Sequence, residues 1–370
     1  MVAREWTRLG LIGFGGPPTH IALLRQLVVS RRRWMDAHTF EDANAACGML
    51  PGPASTQMAI YCAYRVGGPI GAVIGGLGFI VPAVVIILAV SGLFLGHAPP
   101  LWVRGAGAGA GAAVPAVAVH AARGLLGPSF ERARERSALV WWAVYVLAGA
   151  AAAVLLGAYL VLVLVACGFV EVLRRRPRRA TVPMLLGPAT VSAGGYGALA
   201  WTALKVGALS FGGGFVIIPL MQGDAVHVNH WMTNAQFLNA VALGQITPGP
   251  VVATVAAVGY AAHGLAGGIM AAAIAFAPSF CFVLLAGRRF DHLRELPGPR
   301  AFLDGAGPAA IGAIAGAAIT LATILSEAWQ FAVLAAALVA LLALRRGVVT
   351  TLVGGAAVGV VLALLGAPVP

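Results

Sequence analysis

The chain has 370 residues, of which 60% are hydrophobic and only 10% are charged, and its mean hydropathy is +0.91. A soluble domain carries roughly a quarter of its residues as charges, so the composition excludes a soluble enzyme and indicates a polytopic membrane protein. The net charge of +12 comes from one lysine and from arginines clustered between hydrophobic runs, which points to a cytoplasmic membrane surface rather than to nucleic acid.

The sequence also argues against bound cofactors. Lys205 is the single lysine and lies between Leu204 and Val206, so the Gly-Lys-Ser/Thr motif that binds nucleotide phosphates is missing. The four cysteines lie in apolar stretches without paired spacing, and we interpret them as core residues rather than metal or redox ligands. We therefore expect no cofactor, no metal and no nucleotide.

Two interrupted hydrophobic segments are predicted at the start of the chain. Phe14-Gly15-Gly16-Pro17-Pro18 interrupts the first, and Pro51-Gly52-Pro53 interrupts the second, which covers about 38–66. A helix cannot continue through such motifs, because proline lacks an N–H and clashes with the preceding turn. Smoother segments near the length that a bilayer requires follow at about 70–96, 105–127, 138–156 and 157–173.

The second half of the chain repeats the first. At a shift of 197 residues, Phe14-Gly15-Gly16 coincides with Phe211-Gly212-Gly213, Pro51-Gly52-Pro53 with Pro248-Gly249-Pro250, and Gly67 with Gly264. Self-similarity at one offset indicates two structural repeats, which we place at 1–176 and 198–370, joined by a basic and Gly-rich connector at 177–197. The smoother segments of the second half fall near 264–287, 303–325, 328–344 and 347–366.

The arginine positions predict the orientation of the two repeats. If the segment at 38–66 enters the membrane and returns, Arg31-Arg32-Arg33 and Arg65 stay on the cytoplasmic side together with the N-terminus. The matching loop of the second copy reads Val228-Asn229-His230 and has no fixed positive charge. The predicted fold is thus an all-α polytopic membrane protein with two inverted-topology repeats and broken or re-entrant helices, as in secondary transporters.

The breaks themselves are the predicted substrate site. A helix that restarts with Pro53 or Pro250 as its first residue presents free amides, those of Ala54 to Gln57 and of Val251 to Thr254, and the positive end of its dipole. Such a helix end binds an anion without placing a full cation in the membrane. The alternative is a structural kink packed by a neighbouring helix, but two copies at equivalent positions favour the binding site.

Few polar side chains lie near the breaks. Arg25 and Lys205 are candidate counter-charges, with snorkelling to the membrane surface as the alternative. His20 and Asp224 are candidates for proton coupling, although a histidine at a glycine turn also serves as a hydrogen-bonded packing residue. The predicted substrate-binding residues are Gly15, Gly16, His20, Arg25, Gly52, Ser55, Thr56, Lys205, Gly212, Gly213, Gln245, Thr247 and Gly249.

Both halves carry motifs whose combination and order are distinctive. They are Phe14-Gly15-Gly16-Pro17, His20, Arg31-Arg32-Arg33-Trp34, Leu50-Pro51-Gly52-Pro53-Ala54-Ser55, Phe211-Gly212-Gly213-Gly214 and Gln245-Ile246-Thr247-Pro248-Gly249-Pro250. Through them the sequence resembles the chromate ion transporter family, which implies a two-repeat inner-membrane carrier that exports chromate and confers resistance. Members usually have glutamine at the position of Gly48 and an acid at that of Leu27, which only the second copy keeps, as Gln245 and Asp224.

We therefore expect a secondary transporter that exports chromate, or a related tetrahedral oxyanion such as sulfate, and is driven by the membrane potential. The sequence leaves open whether transport is also coupled to protons. An anion channel of the same fold and a carrier of sulfate or another oxyanion are the alternatives. An enzyme is not expected, because the sequence contains neither H-E-x-x-H nor G-x-S-x-G. The expected partners are the oxyanion and the lipid bilayer, and the sequence leaves a homodimer open.

Overall fold

The computed structural model describes residues 1–48, 52–96, 99–132, 136–175, 195–210, 215–286 and 297–369. Within these ranges every regular element is a helix. Five of the described helices are long and apolar enough to cross a membrane, at Ala54–Phe94, Leu101–Glu131, Ser137–Leu155, Val251–Leu285 and Arg300–Ala322. The prediction of an all-α polytopic membrane protein is confirmed.

The predicted interruptions separate helices in the first half. One break lies between the first and second helices, and the other lies between the third and fourth. A π-helical turn at Gln26–Arg31 extends the second helix, and a 3-10 turn at Gly157–Tyr159 precedes the last. The α-helices are α1 Val2–Ile12, α2 Pro17–Arg25, α3 Ala37–Cys47, α4 Ala54–Phe94, α5 Leu101–Arg132, α6 Arg136–Leu155 and α7 Leu160–Arg175.

The second half has a matching order of helices. A π-helical turn at Gly223–Val228 again follows the second helix, and a 3-10 turn at Val251–Ala253 begins the fourth. Most of the predicted connector, up to residue 194, lies outside the described residues. The α-helices are α8 Tyr196–Leu209, α9 Ile217–Gln222, α10 Asn234–Ile246, α11 Thr254–Ala286, α12 Pro297–Ala322, α13 Ala328–Leu338 and α14 Val348–Leu364.

Local backbone features recur at the offset of the sequence repeat. The π-helical turns at Gln26–Arg31 and Gly223–Val228 are 197 residues apart, as are the starts of α3 and α10. Equivalent polar residues cap these last two helices, because the Asp36 carboxylate accepts from the Thr39 amide and Thr233 forms a capping box with Gln236. The two halves thus share local structure, and their inverted orientation in the membrane stays a prediction.

The kinks within the two longest helices correct the sequence alignment by one residue. Gly68 in α4 and Gly264 in α11 have φ of 63° and 62°, each after a residue that also leaves the helical conformation. The alignment had matched Gly67 with Gly264. Gly52 and Gly249 are 197 residues apart, whereas the two kink glycines with positive φ, Gly68 and Gly264, are 196 residues apart. The two halves therefore differ in length by one residue between the turn and the kink.

The two halves share one core instead of forming separate bundles. α5 of the first half lies along α13 and α14 of the second, and α12 lies along α6 and α7. α4 packs against α11, with α1 and α8 on their respective flanks. Consequently the breaks, which lie at the ends of α1, α3 and α10 and at the start of α4, are held by helices of both halves.

Glycines allow these helices to approach each other closely. A Cβ built on Gly149 in α6 would overlap the carbonyl oxygen of Ala309 in α12, and one built on Gly109 in α5 would overlap that of Gly355 in α14. Helices in lipid gain little hydrophobic burial by associating, so close backbone packing supplies much of their stability. These two contacts join opposite halves of the chain.

Candidate functional site

The first Pro-Gly-Pro turn leads into α4, and no side chain of the described residues caps this helix. Gly52 has φ of 113°, a conformation that residues with a Cβ rarely adopt. Pro53 is the N-cap of α4, one residue earlier than the first helical position predicted for it. The amides of Thr56 and Gln57 both donate to the Pro53 carbonyl at 3.0 Å. Of the four amides predicted to face the break, two are therefore already engaged.

The second turn has the same form. Gly249 has φ of 102°, and Pro250 is the N-cap of the 3-10 turn Val251–Ala253, again without a side-chain cap. The Ala253 amide donates to the Pro250 carbonyl at 2.9 Å. Thr247 ends the preceding helix, and its hydroxyl donates to the Leu243 carbonyl at 2.9 Å.

The glycine break of the first half touches the Pro-Gly-Pro turn of the second. Gly15 and Gly16 have φ of 100° and 76° and separate α1 from α2. The Gly249 amide donates to the Gly13 carbonyl at 2.9 Å, and a Cβ on Gly16 would lie 3.9 Å from a methyl group of Val251. The corresponding break of the second half, which includes Gly212 and Gly213, lies outside the described residues.

Each Pro-Gly-Pro turn packs against the opposite half. A Cβ built on Gly52 would lie 3.2 Å from the Gly207 carbonyl oxygen of α8 and 3.6 Å from Oγ of Ser279 in α11. One built on Gly249 would lie 3.6 Å from the Gly10 carbonyl oxygen of α1 and 2.6 Å from Cβ of Ala83 in α4. Gly52 and Pro53 of the first turn and all three residues of the second are buried. The structure therefore brings the Pro-Gly-Pro turns to the contact between the two halves.

His20 links both breaks of the first half. Its side chain is 1% exposed, its Nε2 lies 2.9 Å from the Gly13 carbonyl oxygen and its Nδ1 lies 3.4 Å from Oγ of Ser55. A carbonyl only accepts, so Nε2 carries the hydrogen, and in the neutral ring Nδ1 accepts from the serine. The ring also meets Phe79 edge to face. This geometry favours the hydrogen-bonded packing role over the proton-carrying role for His20.

The two candidate counter-charges are both paired. Arg25 pairs with Glu41 at 2.9 Å, and their side chains are 46% and 56% exposed, so the structure does not bring Arg25 to the buried turns. Lys205 pairs with Asp224 at 2.5 Å, and their side chains are 11% and 6% exposed. The Thr202 hydroxyl donates to the same carboxylate at 2.8 Å. Lys205 is thus neutralised within its own half.

Several buried polar groups near the breaks have no hydrogen-bond partner among the described residues. From the predicted set these are Oγ1 of Thr56 and Nε2 of Gln245. Two more lie outside the predicted set, the hydroxyls of Ser210 at the end of α8, a polar residue that the sequence also places near a break, and of Ser279 in α11. Ser279 lies inside a hydrophobic run. Its only signal in the sequence is the difference from Ala83, the residue at the equivalent position of the first half.

A second polar region lies apart from the breaks, between α6, α7 and α12. It forms a pocket lined by Trp141, Tyr145, Glu171, Arg175 and Asp304, among others. Arg175 pairs with Glu171 at 2.6 Å and with Asp304 at 2.9 Å, so its charge is compensated. The contact with Asp304 joins α7 to α12, so this region has a structural explanation.

The family model of chromate transporters matches residues 1–172 and 197–360. The chain belongs to the chromate transporter family. Its sequence is 32% identical to the chromate transport protein of Cupriavidus metallidurans over 85% of this chain and 80% of that protein. It is 30% identical to the chromate transport protein of Pseudomonas aeruginosa over 87% and 81%, and 27% identical to a probable chromate transport protein of Synechococcus elongatus over 86% and 84%. No solved structure matches the chain.

Family membership covers both copies of the break. The first range that the family model matches, 1–172, includes the break at Gly15 and Gly16 and the Gly52 turn. The second range, 197–360, includes Lys205, Asp224 and the Gly249 turn. The names of the family and of its relatives are those of transport proteins. The chain is accordingly a multi-pass membrane protein of an ion-transporting family.

Proposed function

We propose that the protein is a secondary carrier that exports chromate, or a related tetrahedral oxyanion such as sulfate, across the inner membrane. The observation that carries this proposal is the burial of two uncapped helix starts, after Pro53 and Pro250, at the contact between the halves. An anion bound there would complete the hydrogen bonding of these helix starts. The names of the relatives from C. metallidurans and P. aeruginosa support chromate as the substrate.

The proposed binding site consists mainly of neutral donors. The oxyanion would be held by the backbone amides of Ala54 and Ser55, the Thr56 hydroxyl and the Gln245 side-chain amide. The glycines of the breaks would allow the backbone conformations that the site requires; they are Gly15, Gly16, Gly52, Gly212, Gly213 and Gly249. Lys205 would act through its pair with Asp224. Arg25 is not assigned a place beside the anion, because its side chain pairs with Glu41 on the exposed surface.

The membrane potential would supply the energy for export. Each charge that crosses 100 mV gains roughly 2.3 kcal/mol, so an inside-negative potential drives a dianion outward with about twice that free energy. Export would then need no nucleotide hydrolysis. If proton coupling is added, Asp224 is the better candidate, because its protonation would release Lys205, whereas His20 already has two partners.

The proposed transport cycle uses the repeats at 1–176 and 198–370 in inverted orientation, with the N-terminus in the cytoplasm. Rocking of one repeat against the other would alternate access to the site. A carrier is favoured over a channel because the Gly249 amide bonds directly to the Gly13 carbonyl and both Gly52 and Gly249 are buried, which argues against an open pore at these glycines.

Flux measurements on purified protein in liposomes test this function. Chromate and sulfate fluxes are measured with the membrane potential set and then reversed, and with labelled anion trapped on one side to detect counterflow. We expect saturable chromate flux that follows the potential and shows counterflow. Large unsaturated currents would instead indicate a channel, sulfate flux without chromate flux would change the substrate, and no flux of either anion would reject the proposal. A dependence on the pH gradient that Asp224→Asn abolishes would identify the coupling residue.

A further inference from the structure

The two Pro-Gly-Pro turns face different side chains of the opposite half. At the first turn, Oγ of Ser279 lies 3.6 Å from the Cβ position of Gly52, and this side chain is fully buried. At the second turn, the methyl group of Ala83 takes the equivalent place beside Gly249. Pro82 and Pro278 precede these residues in their helices, so Ala83 and Ser279 are at equivalent positions and differ by one hydroxyl group.

Hydroxyl groups along the chain show the same difference. The third residue after Pro53 is Thr56, whose buried hydroxyl has no partner in the described part of the chain, whereas the third after Pro250 is Ala253. Near the second turn, the hydroxyls of Thr247 and Thr254 donate to carbonyls of their own segments at 2.9 and 2.7 Å. Uncommitted hydroxyl donors therefore gather at the first turn.

A buried hydroxyl without a partner is unfavourable, and most buried polar groups in proteins are hydrogen-bonded. Two such groups, those of Thr56 and Ser279, flank one uncapped helix start. The positive end of α4 disfavours a cation there. The Gly207 carbonyl oxygen, an acceptor, lies 3.2 Å from the Gly52 Cβ position beside these hydroxyls.

We propose that the oxyanion binds at the Gly52 turn rather than midway between the turns, and that the Ser279 hydroxyl donates a hydrogen bond to one of its oxygens. This inference rests on the proposed function and adds a binding residue and a location to it. The second half thus contributes a ligand to the helix start of the first. The Gly249 turn, with Ala83 beside it, serves as the apolar counterpart and contributes no hydroxyl donor to the anion.

Flux kinetics of Ser279→Ala in liposomes, at a fixed membrane potential, test the inference with chromate and with sulfate. Loss of a hydrogen bond to a charged ligand raises the half-saturating concentration about tenfold or more. The matched control is Ser91→Ala, which removes another buried and unpartnered hydroxyl about 12 Å along α4 from Ala83. We expect the control to stay within about twofold of wild type.

A second pair of variants keeps the inference testable if Ser279→Ala impairs folding. Ser279→Thr and Ser279→Val have the same shape, and only the first keeps the hydroxyl, so we expect Ser279→Thr to retain the higher affinity. Equal half-saturating concentrations for Ser279→Ala and Ser91→Ala, or for the Thr and Val variants, would overturn the inference while wild-type flux upheld the proposed function. Absence of wild-type flux would reject the function itself.

Discussion

At the residue scale, the two candidate counter-charges differ, because Lys205 belongs to a buried ion pair and Arg25 to an exposed one. The sequence placed Arg25 and Lys205 in the same class, because both lie near a break in a hydrophobic segment. The structure separates them through their partners, Glu41 on the exposed surface and Asp224 in the interior. Neither partner could be chosen from sequence, since ion pairing depends on how α2 and α8 are rotated.

The buried pair leads to a stability prediction. Removing one member of such a pair leaves an unpaired buried charge and costs roughly 3 to 5 kcal/mol. We expect Lys205→Met and Asp224→Leu each to lower the unfolding temperature strongly, and the double variant to recover most of the loss. Leu27 occupies the position of Asp224 in the first half, which indicates that leucine fits there.

The exposed pair provides the control for that prediction. Arg25→Ala removes a surface interaction that is worth about 0 to 1 kcal/mol, so stability and flux should both stay near wild type. If the double variant of Lys205 and Asp224 were no more stable than either of its single variants, the interpretation of the buried pair would be contradicted. Loss of flux in well-folded Arg25→Ala would return Arg25 to the binding site.

At the element scale, the sequence predicted helices and breaks well where the residues of the segment itself determine its backbone conformation. The smooth segment at 138–156 corresponds to α6 at Arg136–Leu155, because a long apolar run has one stable form in lipid. The breaks were located by prolines and glycines, whose backbone restrictions hold in any surroundings. Details that depend on geometry were missed, such as the N-cap position of Pro53 and the one-residue slip at Gly68.

Close packing of α6 on α12 makes Gly149 a sensitive position. A methyl group there would overlap the Ala309 carbonyl oxygen and push the helices apart. We expect Gly149→Ala to reduce the amount of folded protein measured by size-exclusion chromatography in detergent. The control is Gly124→Ala in α5, where an added Cβ would meet no atom within 4 Å and a helical alanine is favourable. Equal losses in both variants would contradict this role of Gly149.

At the scale of the whole molecule, the sequence repeat predicted two related halves but not how they pack. Offsets between motifs say which residues are equivalent, and they do not say that α5 lies along α13 and α14. For the same reason the sequence missed Ser279, which is distant from Gly52 along the chain and meets it through the packing of α11 on α4. The binding site could therefore be predicted as a pair of breaks, while its side-chain donors required the tertiary structure.

The central claim is that the Pro-Gly-Pro turn of each half packs against helices of the opposite half and that the helix start after Gly52 binds a tetrahedral oxyanion. Cryo-electron microscopy of the purified protein with sulfate tests this claim most directly. The account predicts both turns in contact with the opposite half, and density for one tetrahedral ion within hydrogen-bonding distance of the Ala54 and Ser55 amides and of Ser279. Turns without contact to the opposite half, or a helix start filled by apolar side chains with the ion elsewhere, would contradict it.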